Sequence, residues 1–142
     1  MVIDSIRDGI VIDHIKAGLG LEIYRLLKLG KLDCQVAIIQ HATSQKGSKK
    51  DVIKIDSPIE IDLDVLGYLD PGCTVNVIRD SKVAEKYHPA IPETLTGVIS
   101  CKNPRCITSA ESDLPHVFRL TDKDAQVYRC IYCETMAKKI KI

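Results

Sequence analysis

The chain has 142 residues, 45% of them apolar and 27% charged, the balance of a folded soluble protein with one ordinary domain or two small ones. Lys and Arg number 20 against 19 Asp and Glu, and a net charge of +1 excludes both the strongly basic footprint of a typical nucleic-acid-binding domain and an acidic disordered tail. No apolar run approaches the roughly 18 residues of a membrane span. The opening Met1-Val2-Ile3-Asp4 meets charge too early for a signal peptide. A cytoplasmic location is therefore expected, where disulfides are rare and six Cys need another explanation. Trp is absent and Phe118 is the only Phe, which disfavours a site built on stacked aromatics.

Gly9 to Ile15 alternates β-branched residues and predicts a strand. Gly18 and Gly20 break the chain, and Leu21, Ile23, Leu26 and Leu27 recur at helical spacing up to Gly30, a candidate C-cap. Cys34 to Gln40 is apolar at nearly every position and predicts a strand buried on both faces. The polar loop 44–50 leads into a strand over Asp51 to Ile55. Asp62 caps a short helix through Val65, Leu66 and Leu69, and Asp70-Pro71-Gly72 turns the chain. Cys73 to Arg79 predicts a strand, with a shorter one over Lys82 to Lys86. Two βαβ-like halves give an α+β, ferredoxin-like antiparallel sheet, with helices on one face and the other face open to a partner.

The chain divides near residue 92, where Pro89 and Pro92 limit regular structure. Residues 1–92 carry 12 Lys and Arg against 13 Asp and Glu; residues 93–142 carry 8 against 6. Four thiolates with one divalent metal would bring the second part to about zero. At about 50 residues, the second part is near the lower limit for a self-sufficient core and needs a staple.

Cysteines supply it. Cys101-Lys-Asn-Pro-Arg-Cys106 is followed by 23 residues and then Cys130-Ile-Tyr-Cys133. Two close pairs on tight turns, well separated, are how a chain builds a tetrahedral Cys₄ zinc site, here within a small zinc-ribbon-like β domain with strands around Phe118–Leu120 and Val127–Arg129. A closed four-sulfur site leaves no position for water, so the metal is structural. Disulfides and ordinary buried thiols are the rival readings. His116 lies outside both pairs and reads as a bystander; Cys34 and Cys73 read as small hydrophobes in strands.

A second set of residues is polar. Asp13-His14 ends an apolar strand, Lys54 interrupts another, Lys86 follows a short apolar stretch, and Lys49-Lys50 feeds Lys54. A lone Lys on a strand reads as solvated, and Asp13-His14 reads as a local ion pair; jointly they suit an anionic ligand such as a nucleotide. No P-loop or dinucleotide fingerprint is present, and no catalytic triad can be assembled. The set offers binding chemistry without catalytic chemistry.

Gly9-Ile-Val-Ile-Asp-His-Ile15, Lys50-Asp-Val-Ile-Lys-Ile55, Thr74-Val-Asn76, Pro89 and Pro92-Glu93, in that order and ahead of the cysteine spacing of four, 23 and two, resemble the regulatory chain of aspartate carbamoyltransferase across almost the whole length. The resemblance implies a non-catalytic, cytoplasmic allosteric subunit of pyrimidine biosynthesis. Its domain 1–92 would bind nucleotide effectors and pair with a second copy of itself. Its domain 93–142 would bind one zinc through Cys101, Cys106, Cys130 and Cys133 and dock on the catalytic chain, joining two catalytic trimers through three regulatory dimers. CTP, often with UTP, would inhibit, and ATP would activate; whether Mg²⁺ accompanies the nucleotides is left open. By position, Asp13 and Lys54 would meet ribose and base, and His14 and Lys86 the phosphates. Ile6, Ile78 and Val83 would line the base pocket. Lys50 and Ile3 to Ser5 would lie near the phosphates or a second nucleotide. Ser81 stands where well-known members have Tyr. Asn103, Arg105 and Glu134 would contact the catalytic chain, Arg105 replacing a familiar Asn. The alternatives are a zinc-ribbon module binding nucleic acid and a stand-alone nucleotide sensor.

Overall fold

Five strands and two helices occupy the first part of the chain in a computed structural model that describes residues 6–111 and 113–137. They are β1 (Gly9–Lys16), α1 (Gly20–Leu26), a 3₁₀ turn (Leu29–Lys31), β2 (Val36–Thr43), β3 (Lys49–Ile55), α2 (Leu63–Leu69), β4 (Thr74–Arg79) and β5 (Lys82–Tyr87). The sheet order is β2-β3-β1-β4-β5 with every pair antiparallel, a ferredoxin-like arrangement extended by the β4–β5 hairpin. Ile10, Ile12, Ile53, Ile55 and Val75 turn to one face and are buried with Ile23 of α1 and Val65 and Leu66 of α2. The Asp62 carboxylate accepts from the amides of Asp64 and Val65, satisfying two of the free donors at the start of α2.

Two local expectations are corrected. The β2 strand is not buried on both faces: it is an edge strand, and none of its residues is fully buried. An apolar run reports side-chain character and not how many strands flank it. It also begins at Val36, so Cys34 is half-buried ahead of it, and Cys73 is buried just ahead of β4. Gly30 is not the C-cap of α1. The helix ends at Leu26, Lys28 takes the left-handed turn (φ 57°), and Gly30 lies inside the 3₁₀ turn, where a Cβ would meet the Tyr24 hydroxyl at 2.9 Å.

The residues fall into two compact units that part between Ala90 and Ile91. In the second, β6 (Thr94–Thr96), β7 (Val117–Asp122) and β8 (Val127–Cys130) form an antiparallel sheet in that order, with a short helix α3 (Ile107–Ala110) following the first cysteine pair. Its small core is Leu95, Phe118, Tyr128, Cys106 and Cys130. The Tyr128 hydroxyl donates to the Pro92 carbonyl at 2.5 Å, tying the sheet to the start of the unit. Among the described residues no helix is long and apolar enough to cross a membrane.

Candidate functional sites: the open sheet face and the cysteine cluster

Alternation puts the residues between the buried ones on the uncovered face of the five-stranded sheet. One row of direct cross-strand partners runs Ala37, Lys54, Val11, Asn76, Lys86. Two residues along β1 in one direction lies Gly9, opposite Ile78, which in turn opposes Val83. The Ile6 side chain packs over Gly9, where a Cβ would meet it at 2.8 Å and the Ile55 carbonyl at 2.2 Å. Two residues in the other direction lies Asp13. The face therefore grades from an apolar end (Ile6, Ile78, Val83) through two lysines to a carboxylate.

Asp13 does not stand alone. Its carboxylate takes an ion pair from Lys50 at 2.9 Å, both side chains being about a quarter exposed, and accepts the His14 amide at 2.7 Å. Burial by itself would raise the Asp13 carboxyl. The hydrogen bonds from Lys50 and the His14 amide outweigh it, so its pKa lies below the ordinary value. Asp13 thus stabilises the fold above the pKa of an unfolded Asp, and that share fades as pH falls through the lower folded value. Urea unfolding of the protein and of Asp13→Asn is expected to differ at neutral pH and to converge as pH falls below the ordinary Asp range and through the lower folded value; a constant difference would contradict this account.

His14 sits in a bulge of β1 with φ 57°, exposed, its Nδ1 4.0 Å from Asp13. Ser81 occupies the second place of the two-residue β4–β5 turn, both of whose residues have positive φ. Its amide donates to the Arg7 carbonyl at 2.9 Å, and the Asp80 amide to Asp8 at 3.2 Å, so the hairpin tip is bound to the segment that follows Ile6. Ile3 to Ser5 lie outside the described residues.

The opposite face holds a residue the sequence analysis passed over. Asp51 is fully buried on β3. One oxygen accepts the Gly18 amide at 3.1 Å and the Gly20 amide at 2.9 Å; the other accepts the His41 amide at 2.9 Å. The register break at Ile39/Ala42 on β2 frees the His41 amide, and the chain between β1 and α1 brings up those of Gly18 and Gly20. Gly20 must lack a Cβ, which would sit 2.8 Å from an Asp51 oxygen. The signal was Gly18 and Gly20 after one strand and a lone Asp opening another.

In the second unit the sulfurs of Cys101, Cys106, Cys130 and Cys133 all lie within 4.8 Å of one another. Cys101 and Cys133 are 3.5 Å apart, and Cys106 and Cys130 3.7 Å. A tetrahedron with a metal–sulfur bond of about 2.3 Å has edges of about 3.8 Å, so the four thiols fit a structural zinc ion. None of the six cysteines is in a disulfide. Burial pushes the Cys101 thiol up to about 12, while hydrogen bonds from Thr135 hold Cys133 down to about 6. Cysteine binds a metal as its thiolate, so a bound metal would draw the protons out of the cluster.

The surrounding groups orient the ligands. His116 Nδ1 accepts the Cys101 amide at 3.0 Å, and the Thr108 hydroxyl donates to the Cys106 sulfur at 3.0 Å. Asn103 is engaged within the turn: its carbonyl oxygen accepts the Arg105 amide at 3.0 Å, and its side-chain amide reaches the Thr135 hydroxyl at 3.3 Å. Arg105 and Glu134 are exposed.

A protein-family model described as the aspartate carbamoyltransferase regulatory chain, allosteric domain, matches residues 1–90, and one described as the metal binding domain of that chain matches residues 93–142. The chain belongs to the aspartate carbamoyltransferase regulatory chain family. Among its relatives of that name, the one from Clostridium acetobutylicum is 48% identical over 99% of this chain and 97% of its own. That from Clostridium tetani is 48% identical over 99% of each. That from Bifidobacterium longum is 44% identical over 97% of this chain and 99% of its own. As a member of the regulatory chain family, the chain is a regulatory and not a catalytic subunit, with an allosteric and a metal-binding part.

Proposed function

We propose that the chain is the cytoplasmic allosteric subunit of aspartate carbamoyltransferase. Domain 1–92 binds CTP, UTP or ATP on the open sheet face. Domain 93–142 holds one zinc through Cys101, Cys106, Cys130 and Cys133 and docks on the catalytic chain near Asn103, Arg105 and Glu134. The row carrying Lys54 and Lys86 between an apolar end and Asp13 supports the nucleotide reading most. Lys86 offers a cation to a triphosphate, and His14 a further contact for it. Asp13 and Lys54 offer partners for ribose and base, and Ile6, Ile78 and Val83 an apolar wall for the base. Lys50 is neutralised by Asp13 in the free chain, so it meets a second nucleotide, with or without Mg²⁺, only by leaving that pair. The aliphatic side chains along the unflanked edge of β2 suit pairing with a second copy of the chain.

An effector changes activity only through unequal affinity for two quaternary states, a coupling expected at about 1–3 kcal/mol and reciprocal. CTP and ATP share the triphosphate, so the lysines supply affinity for both and the base supplies the sign. The Ile6 and Val83 segments meet the base. The hydrogen bonds from Ser81 to Arg7 and from Asp80 to Asp8 make them move together.

Calorimetric titration of the zinc-loaded full chain with CTP tests the site. Lys54→Ala and Lys86→Ala are each expected to weaken binding roughly 10- to 100-fold, the worth of one charge-assisted hydrogen bond. Wild-type affinity in both variants would remove the open face as the nucleotide site.

A further inference from the structure

The solvent face of the second unit's sheet carries two arginines side by side. Arg119 on β7 and Arg129 on β8 are direct cross-strand partners, and both are exposed. Thr94 of β6 and Met136 extend the row on either side. The two arginines, with Thr121, Ile131 and Glu134, line a concavity of about 450 Å³. Arg129 donates to the Glu134 backbone carbonyl at 3.1 Å, which aims its guanidinium without neutralising it. Among the described residues no carboxylate forms an ion pair with Arg119 or Arg129.

Folding does not explain this placement. Like charges directly opposite in an antiparallel pair destabilise it. The unit is held together from the other face, by Phe118, Tyr128 and Cys130. Two planar guanidiniums in one concavity match carboxylates, which they bind in bidentate fashion. The exposed Ile131 and Met136 beside them give the patch the mixture of Arg, Met and aliphatic surface found at the centre of protein interfaces. A nucleic-acid backbone is the poorer match, because the whole chain carries a net charge of only +1 and phosphate tracking needs an extended basic stripe.

We propose that the Arg119–Arg129 pair is an electrostatic anchor that takes an acidic segment of the catalytic chain. This rests on the docking reading above and extends it from the cysteine turns to the outer face of the sheet. The test titrates the zinc-loaded full chain with purified catalytic chain at two salt concentrations. Arg119→Glu and Arg129→Glu are each expected to weaken association at least tenfold, and the double Arg→Gln variant to flatten its salt dependence. Zinc content and CTP affinity should stay unchanged. Should a Glu variant lose zinc, the Gln variants decide the question. Unchanged association in zinc-loaded variants would overturn the anchor and leave the docking reading standing. Failure of the wild-type chain to bind catalytic chain would overturn both. Arginine-dependent retention of a DNA or RNA oligonucleotide, with catalytic-chain affinity unaffected, would assign the pair to nucleic acid and overturn the proposal.

Discussion

Chelating the metal, or replacing Cys130 by Ser, is expected to unfold residues 91–141 while the five-stranded sheet stays folded. The second unit has about 50 residues and a core of few apolar side chains, two of the buried residues being ligand cysteines. A core of that size contributes only a few kcal/mol. Structural zinc in comparable small domains contributes an apparent 10–16 kcal/mol or so at neutral pH. Without it the balance of conformational entropy and burial turns against folding. Amide hydrogen exchange on the full chain reads both units at once. Protection should vanish in β7 and β8 and persist in β1 and β3. Acid should act as the chelator does, because protons compete for the sulfurs, with one zinc released per chain. Persistent protection in β7 and β8 of the metal-free chain would show that the sheet stands by itself.

Asp51→Ala is expected to destabilise the first unit by roughly 3–5 kcal/mol. The substitution strands three amide donors, one of them buried and two partly buried, each worth about 1–3 kcal/mol when left unpaired. Water can reach the Gly18 and His41 amides in part, which holds the total below the simple sum. Asp51→Asn keeps the shape but turns an NH₂ group toward amides, and should fall between. Urea unfolding of the zinc-loaded chain measures both, and a loss under 1 kcal/mol for Ala would remove the carboxylate from the account of stability. The described residues contain no buried side-chain nitrogen or oxygen left unpaired, and Asp51 is one of the buried groups so satisfied.

Features carried by local chemistry were legible in the sequence. The α2 start is written by Asp62 and the spacing after it, and the cysteine pairs announce their cluster because two tight turns and a long separation have few other uses. The lysines could be named one by one. What their sequence positions hide is that Lys54 and Lys86 share a row, which follows only from the order β3-β1-β4-β5. The pairing of Asp13 is a similar case. Sequence neighbours suggested His14, but the short contact is to Lys50, brought near by the β1–β3 ladder. Asp51 was missed because a carboxylate opening a strand looks like a solvated end; its burial depends on amides delivered by the loop after β1, the first residue of α1 and the bulge in β2. The edge position of β2, the short β6 and the reach of Asn103 to Thr135 likewise depend on contacts far along the chain.

The Asp51 clamp has a consequence for the opposite face of the sheet. Side chains alternate strictly along a strand, so a slip of β3 by one residue would turn Lys54 toward the helices and Ile53 toward the open face. Such a slip would also turn Asp51 out to the open face with Ile53, leave the amides of Gly18, Gly20 and His41 without their acceptor, and bury the Lys54 ammonium without a partner. The carboxylate therefore acts as a registration pin. It never touches the open face, yet it keeps the two lysines in one row by making the shifted pairing too costly to populate.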